Sequence, residues 1–138
     1  RRAYPIGLRI RHAENSSATE VSCAHTGYTH LSGKPIHHRT WRMNKEGLKV
    51  IDRVNGSYDS ADARFHFHPD VKLQNNSSQS NGTVLLPDGT ALTWTLEDGL
   101  AKLESTTWHP QFGSSKPNVC LVVTLVKGKS NLFFRWGS

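Results

Sequence analysis

Apolar and polar residues alternate along much of this chain with a period of two, which is the pattern of β-strands. In residues 8–14 the sequence Leu-Arg-Ile-Arg-His-Ala-Glu places apolar side chains on one side and charged ones on the other, so we expect a half-buried strand. Residues 63–68 place two phenylalanines on one face and two histidines on the other. Almost no segment repeats its apolar residues at the 3.6-residue period of an α-helix. The pattern therefore predicts an all-β fold.

Turn residues divide these alternating runs into short strands. The predicted strands are residues 8–14, 18–25, 36–43, 48–54, 63–68, 83–86, 90–96, 100–108, 119–126 and 132–136. Roughly ten to twelve strands at spacings of about 8–12 residues are typical of an antiparallel sandwich or barrel. We expect an antiparallel β-sandwich that forms a single domain over residues 1–138.

Glycine-containing turns predict which strands follow one another as hairpins. Asn55-Gly56 is a strong hairpin signal because both positions tolerate positive φ. Further turns are predicted at residues 44–47, at Pro87-Asp88-Gly89, and at residues 127–131 between the last two strands. Residues 75–82 are polar throughout and predict a loop.

The length of 138 residues suits one domain, which at this size buries roughly two-thirds of its unfolded surface. A mean hydropathy of −0.54 indicates a rather polar globule. No run approaches the ~18 apolar residues of a membrane helix, so we expect no membrane span. The sequence begins with Arg1 and shows no signal peptide. We therefore expect a piece of a longer protein, with functional groups upstream.

The chain is basic, with 17 Lys and Arg against 11 Asp and Glu, a net charge of +6 and a pI near 9.6. Such a balance favours polyanionic partners such as nucleic acid, acidic glycans or anionic lipid, although a merely soluble surface explains it equally well. No block of basic residues, basic helix or nucleic-acid-binding motif is present, so we expect no nucleic-acid partner.

Residues 23–43 concentrate the chemically versatile side chains of the sequence. They hold four of the eight histidines, two arginines, a tyrosine and a tryptophan. Aromatic faces, guanidinium groups and titratable imidazoles are the groups that bind a polar, anionic, ring-shaped ligand. This stretch is therefore the candidate binding segment, with glycine turns at Gly27 and Gly33 inside it.

Other candidate sites have weaker support. His66 and His68 share a strand face at a spacing that can bind a metal, but no third ligand is indicated, and an exposed histidine face is the favoured interpretation. His37 and His38 are adjacent and point to opposite faces of a strand, so they do not share one ion. Cys23 and Cys120 fit two buried free thiols better than a long-range disulfide.

No catalytic motif is recognisable in the sequence. It contains no Gly-x-Ser-x-Gly and no phosphate-binding glycine loop before a helix. The aspartates are scattered, and turn or surface roles account for them: Asp52, Asp59, Asp62 and Asp70. Three of the four tryptophans are expected in the core, while Trp41 and Trp108 lie beside histidines and could offer stacking platforms.

An ordered set of motifs resembles the C-terminal β-sandwich portion of the heparinase II/III-like polysaccharide lyases. The motifs are His25-x-Gly27-Tyr28, Leu31, Pro35-Ile-His37-His-Arg39-x-Trp41, Asp52-Arg-Val-Asn-Gly56, Arg64-Phe-His-Phe-His-Pro69 and Ser105-Thr-Thr-Trp-His-Pro-Gln-Phe-Gly113. The resemblance covers most of residues 1–136. The chain departs from it at Thr26, where the family often has Asp, and at His38, where it often has Arg.

The resemblance implies a helical toroid upstream in the same chain and cleavage of an acidic, uronate-containing polysaccharide by β-elimination, outside the cytoplasm in the periplasm or the extracellular space. In the family the catalytic Asn, Tyr and His lie mainly upstream, and some members carry a metal site there. No catalytic residue is therefore assigned to this chain, and its cofactor remains open, with a divalent metal upstream as one option.

The resemblance also implies which residues of this chain support substrate binding. They are His25, Tyr28, His37, Arg39 and Trp41. Arg39 can pair with an anionic group bidentately, and the imidazoles and the phenol can line the cleft. The alternative is structural, with Tyr28 anchoring a turn and Arg39 bridging strands. At the level of function, the corresponding alternative is a non-catalytic carbohydrate-binding or structural module.

Overall fold

Eleven β-strands and no helix make up the part of the chain that the computed structural model describes, residues 3–13, 17–74 and 78–136. The strands are β1 (Pro5–Ala13), β2 (Ala18–His25), β3 (Ile36–Met43), β4 (Gly47–Asn55), β5 (Asp62–His66), β6 (Lys72–Leu73), β7 (Asn81–Leu85), β8 (Ala91–Glu97), β9 (Leu100–Trp108), β10 (Lys116–Thr124) and β11 (Lys129–Trp136). Within these residues, no helix has the length and apolar character needed to cross a membrane.

The strands form two antiparallel sheets of unequal width. The larger sheet has eight strands in the order β1-β2-β3-β4-β11-β8-β7-β6, and the smaller has three in the order β5-β10-β9. The predicted all-β sandwich is confirmed. Several predicted strands match closely: β2, β3 and β9 begin and end at the predicted residues.

The hydrophobic core lies between the small sheet and the middle of the large one. Its buried residues come from β4, β8 and β11 on one side and from the small sheet and its flanks on the other: Val50, Ala63, Trp94, Leu96, Ala101, Leu121, Val123, Leu125, Leu132 and Phe134. Burial of the Val, Leu and Phe side chains among them stabilises each by about 1.5–3 kcal/mol. The large sheet therefore has an inner face that meets the small sheet and an outer face that is turned away from it.

Two predicted hairpins form as expected. Strands β3 and β4 are joined by a turn in which Asn44 Oδ1 accepts hydrogen bonds from the backbone N–H groups of Glu46 and Gly47, at 2.8 and 3.2 Å. Strands β7 and β8 pair directly across the turn at residues 87–89. In both places local turn chemistry is sufficient to set the connection.

Two other predicted hairpins are wrong. Gly56 does adopt positive φ (100°), but the chain then crosses to the small sheet, where β5 pairs with β10. Strands β10 and β11 also lie in different sheets, and a bridge between Val126 and Lys129 closes the turn between them. A turn that passes between layers uses the same positive-φ residues as a turn within one sheet, so the local signal cannot distinguish them.

The predicted half-burial of the first strand is also wrong. Leu8 is 64% exposed and Ile10 is 62% exposed, and the described polar side chains of β1 are exposed as well. Strand β1 is the edge of the wide sheet, beyond the strands that the small sheet covers. An alternating pattern sets the strand, but the opposing layer decides whether its apolar face is buried.

The tryptophans are less buried than expected, since Trp94 alone of the four is fully buried and the other three are partly exposed. Both cysteines are free, Cys120 buried in β10 and Cys23 half-buried in β2. The favoured prediction of free thiols is confirmed, although the burial of Cys23 is only partial.

Candidate functional site

Strand register brings four polar side chains together on the inner face at one end of the large sheet. His25 of β2 is paired with His37 of β3, and Arg39 of β3 is paired with Asp52 of β4. Residues 37 and 39 are two apart and so share a face. The cluster therefore follows directly from the order β2-β3-β4.

Asp52 is the centre of this cluster and is 1% exposed. Its Oδ1 accepts hydrogen bonds from Arg39 Nε at 2.7 Å and His37 Nε2 at 2.6 Å, and its Oδ2 accepts one from Arg39 Nη2 at 3.1 Å. A buried carboxylate without partners would be very costly. Here both of its oxygens have donors, and Arg39 supplies a two-point contact.

The hydrogen bonds also assign the tautomers of both imidazoles. The backbone N–H of Gly27 donates to His25 Nδ1 at 3.1 Å, so that nitrogen carries no proton. His25 Nε2 must then carry the proton and donate it to His37 Nδ1, 3.1 Å away. His37 in turn donates from Nε2 to Asp52. The network is thus a directed chain from a backbone amide through two neutral rings to a carboxylate.

Electrostatics agree with this assignment. Burial alone would raise the pKa of Asp52, but the hydrogen bonds from His37 and Arg39 and the charge of Arg39 outweigh burial, so its pKa lies below its usual value. Burial lowers the pKa of His25, a proton on His37 would lower it further, and the charge of Arg39 acts in the same direction. Near neutral pH, Asp52 is therefore ionised and His25 is uncharged.

A cavity of about 500 Å³ opens beside the cluster. One wall is formed by the polar cluster and its loop: His25, Tyr28, His37 and Arg39. The opposite wall is formed by the segment that crosses between the sheets after β4 and by the start of β5. Its polar side chains are Tyr58, Ser60, Asp62 and Arg64. Apolar side chains such as Leu31, Val54 and Leu125 complete the lining. A concave, partly apolar space with a few directed polar groups is the usual form of a small-ligand site.

The loop that carries Tyr28 is held in place by close contact with the crossover. Gly33 has φ of 88°, and a Cβ at this position would clash with the carbonyl of Ser57. Gly56, with φ of 100°, approaches the carbonyl of Gly33 in the same way, and the N–H of Ser57 donates to that carbonyl at 3.4 Å. The two walls of the cavity are therefore coupled through glycine positions that admit no side chain.

Comparison with known proteins finds a family model described as "Heparinase II/III-like, C-terminal", which matches residues 1–136. The chain belongs to this family. Comparison with curated proteins finds no match.

Solved structures show the same fold for this heparinase II/III-like chain. Heparan sulfate lyase HepC from Pedobacter heparinus is similar with a TM-score of 0.72 and 13% identity over 94% of this chain. The heparinase III product of the BT4657 gene is similar with a TM-score of 0.71 and 11% identity over 98% of this chain. The chain spans about a fifth of each of these proteins, 21% in both cases.

The structure of this heparinase II/III-like chain gathers four of its five predicted site residues around one cavity: His25, Tyr28, His37 and Arg39. Tyr28 is 48% exposed, with its ring 5.3 Å from that of His25. Trp41 does not line the cavity. It packs against the core, and its ring lies 5.9 Å from the guanidinium carbon of Arg39. A substrate contact for Trp41 stays a prediction.

Asp52 is the site residue that sequence reasoning missed. It was expected at the surface or in a turn, and its burial shows that this expectation is wrong. A signal was present in the strand, because Leu48, Val50, Asp52 and Val54 occupy alternate positions and share a face. A carboxylate among apolar inward positions needs partners, and this predicts cations on a neighbouring strand.

His66 at the end of β5 and His68 just after it have no set of metal-binding partners among the described residues. His66 and His68 are both exposed, and the ring of His68 lies 4.9 Å from that of Trp108. Among the described residues, no group of three or more His, Cys, Asp or Glu side chains is arranged to hold a metal ion. The proposed stacking face of Trp108 is thus partly taken by a histidine.

Proposed function

We propose that this chain forms the C-terminal β-sandwich of a lyase that cleaves an acidic, uronate-containing polysaccharide by β-elimination. Its membership of the heparinase II/III-like family supports this proposal, as does the fold it shares with a heparan sulfate lyase. The main catalytic groups lie upstream in the parent protein, on a helical toroid domain, and the parent acts in the periplasm or outside the cell.

The observation that carries the proposal is the position of Arg39 at the cavity. Asp52 holds two of its nitrogens, Nε and Nη2, which fixes the plane of the guanidinium group. Within the described residues, Nη1 has no hydrogen-bond partner. A rigid cationic donor that lines an open cavity suits a substrate carboxylate or sulfate.

β-Elimination requires that the uronate carboxylate be neutralised, that a base remove the proton at C5, and that an acid protonate the leaving oxygen. Arg39 supplies positive charge for the first task, and the half-exposed Tyr28 supplies a hydroxyl that can donate to a sugar. Both ring nitrogens of His25 are engaged within the chain, so His25 does not offer a free base in this arrangement. We therefore place the base and the acid upstream.

The test compares the 138-residue chain with the full parent protein on heparan sulfate. β-Elimination leaves an unsaturated uronate end, which absorbs ultraviolet light. We expect the parent to produce this absorbance and the 138-residue chain to produce none. Robust turnover by the chain alone would contradict our placement of the catalytic groups, and an inactive but substrate-binding parent would contradict the lyase assignment.

A non-catalytic carbohydrate-binding module is the second candidate, and one observation favours it. Apart from Arg39 Nη1, the polar groups of the cluster are paired within the chain, as expected of a site built for stable binding or for structure. Titration with uronate oligosaccharides separates these roles. Loss of affinity in Arg39→Ala, with retention in the small-sheet variant Lys102→Gln, indicates a binding site. Equal affinity in all three proteins removes Arg39 from recognition.

The described residues contain no cluster that fits a divalent metal, so we derive no role for a metal from this chain.

A further inference from the structure

The outer face of the large sheet is strongly cationic across three neighbouring strands. Outer positions alternate with the core positions of β4 and β11, because successive side chains of a strand point to opposite faces. On β3, β4 and β11 these outer positions carry no acid, and their charged residues are Arg42, Lys49, Arg53, Lys129 and Arg135. The nearest acids in the register are Glu20, opposite Arg42, and Glu97, opposite Asn131.

Register places like charges directly opposite one another on this face. Arg42 is paired with Lys49 across β3 and β4, and Arg53 is paired with Lys129 across β4 and β11. His38 lies opposite Arg53 on the other side. Among the described residues, none of these side chains forms an ion pair. Like charges in directly opposed positions destabilise a sheet slightly, and an anion bound between them would relieve this repulsion.

A groove on the outer face is lined by part of this cationic set. It has a volume of about 590 Å³ and contains Arg42, Lys49 and Arg135, with Phe133 and Asn44 among the other lining residues. The guanidinium carbon of Arg135 lies 5.0 Å from the centre of the Phe133 ring, a cation–π contact between two lining residues.

The far side of the groove is polar and carries one acid. Asn131, Thr95 and Glu97 complete the lining there. The amide of Asn131 donates to Asp98 at 3.2 Å. The groove thus joins cations on one side to amide, hydroxyl and carboxylate groups on the other, a mixture that suits both the anionic groups and the hydroxyls of a sugar chain.

A second cationic cluster, His38, Arg53 and Lys129, lies on the same face beyond the lining of the groove, farther along the strands. Lys49 and Arg53 are four residues apart on β4 and share its outer face, a separation of about 13 Å at 3.3 Å per residue. Two clusters at this separation suit a linear polyanion better than a small anion.

We propose that the outer face of the eight-stranded sheet binds a linear anionic polysaccharide, with its carboxylate or sulfate groups against the cluster of Arg42, Lys49 and Arg135 and then against Arg53 and Lys129. This surface lies on the opposite side of the sheet from the Arg39 cavity, so it is a second site that goes beyond the proposed function. A single ring, Phe133, is present rather than the series of aromatic platforms that bind unstacked bases, which favours a polysaccharide over a nucleic acid.

The test measures the affinity of the 138-residue chain for heparan sulfate by calorimetric titration over a series of NaCl concentrations. The outer-face variant is Lys49→Gln with Arg135→Gln. Its matched control, Lys102→Gln with Lys116→Gln, removes two charges from the small sheet instead. We expect about tenfold weaker binding from the outer-face variant, because two exposed ionic contacts are lost, and little change from the control. The slope of log Kd against log salt should fall by about one to two.

Four further measurements decide the interpretation. Circular dichroism must show that both variants fold, and Arg53→Gln with Lys129→Gln provides an independent outer-face variant. The loss of binding free energy for heparan sulfate in an outer-face variant should add to the loss in Arg39→Ala, since the two sites lie on opposite faces of the sheet. If both outer-face variants bind heparan sulfate as the wild type does, the proposal is wrong. It is also overturned if single-stranded DNA binds as tightly and shows the same losses, which would indicate a nucleic-acid surface.

Discussion

Strands β3 and β4 carry charged residues on both faces, and the two faces arrange them in opposite ways. On the inner face Arg39 is opposite Asp52, and the pair is joined by two hydrogen bonds. On the outer face of the same two strands, Arg42 is opposite Lys49, and no ion pair involves either among the described residues. The strand pairing is the same on both sides, so the difference comes from the surroundings.

Burial explains the contrast. Asp52 is almost inaccessible to water, and a buried charge is tolerated only when it is paired and hydrogen-bonded. Four of the outer cations are exposed and Lys49 is half-buried, so water screens most of their repulsion to a small cost. Charges on the inner face therefore contribute to the fold and to the shape of the cavity. The outer charges oppose folding slightly, and we propose above that their clustering serves to bind a ligand.

The largest expected effect comes from Asp52→Asn. The amide keeps the shape but leaves Arg39 and His37 without an anionic partner, so we expect the free energy of unfolding to fall by about 3 kcal/mol. Urea denaturation measures this free energy of unfolding. Asp59→Asn, on the exposed crossover, is the matched control and should change stability by less than about 0.5 kcal/mol. Equal losses in the two variants would contradict the central role of Asp52.

A smaller effect is expected from Arg39→Lys. Lysine keeps the charge but loses the two-point contact with Asp52, so we expect a loss of about 1–2 kcal/mol. The pKa of the Asp52 carboxyl should rise toward its usual value, because a donor that lowers it is lost. Carbon-detected NMR titration follows this carboxyl directly. An unchanged titration of Asp52 would show that Arg39 is not its main partner.

A pH-dependent effect follows from His25. Its pKa in the folded chain lies below 6.5, so on acidification the unfolded chain takes up the proton first. Stability should be fully present above pH 6.5 and should fall as the pH drops from 6.5 toward the folded pKa. Asp52 causes a further loss of stability only below pH 3.8, where its carboxyl is protonated in the unfolded chain.

The measurement is urea denaturation at a series of pH values between 7.5 and about 5, the range over which histidine titrates. In His25→Gln the decline should be shallower than in the wild type, since one titrating group is removed. His30→Gln, in an exposed loop, is the matched control. The assignment of a neutral His25 fails if both variants keep the wild-type slope.

The smallest expected effect is a gain in the free energy of unfolding, whereas the substitutions above cause losses. Arg53→Gln removes a charge that lies between Lys129 and His38, so we expect stability to rise by about 0.2–0.5 kcal/mol at low salt. The gain should disappear at high salt, because the repulsion is screened. Arg11→Gln is the control, since Arg11 lies opposite Glu20 and should give no gain. Destabilisation by Arg53→Gln would show that these cations support the fold.

The alternation of apolar and polar residues was sufficient to predict most of the strands, including the full extents of β2, β3 and β9. A strand's pattern is local, because each side chain direction follows from the one before it. The chemistry of residues 23–43 was also evident from residue types alone, and four of the side chains predicted for the site line one cavity.

Only the tertiary structure could show which of the two sheets each strand joins. The turns after β4 and after β10 carry hairpin residues, yet each passes from one sheet to the other. The exposed face of β1 has the same cause, since the small sheet does not extend to that edge. Whether a turn joins neighbouring strands of one sheet or strands of different sheets depends on packing between segments far apart in the chain.

The sequence by itself therefore determined most of the strands, the all-β class and the segment whose polar side chains line the Arg39 cavity, because these depend on neighbours along the chain. The tertiary structure alone decided that Asp52 pairs with Arg39 and that Arg42 faces Lys49. Both outcomes are set by strand register, which brings together residues that are distant in sequence and determines which of their charges lose contact with water.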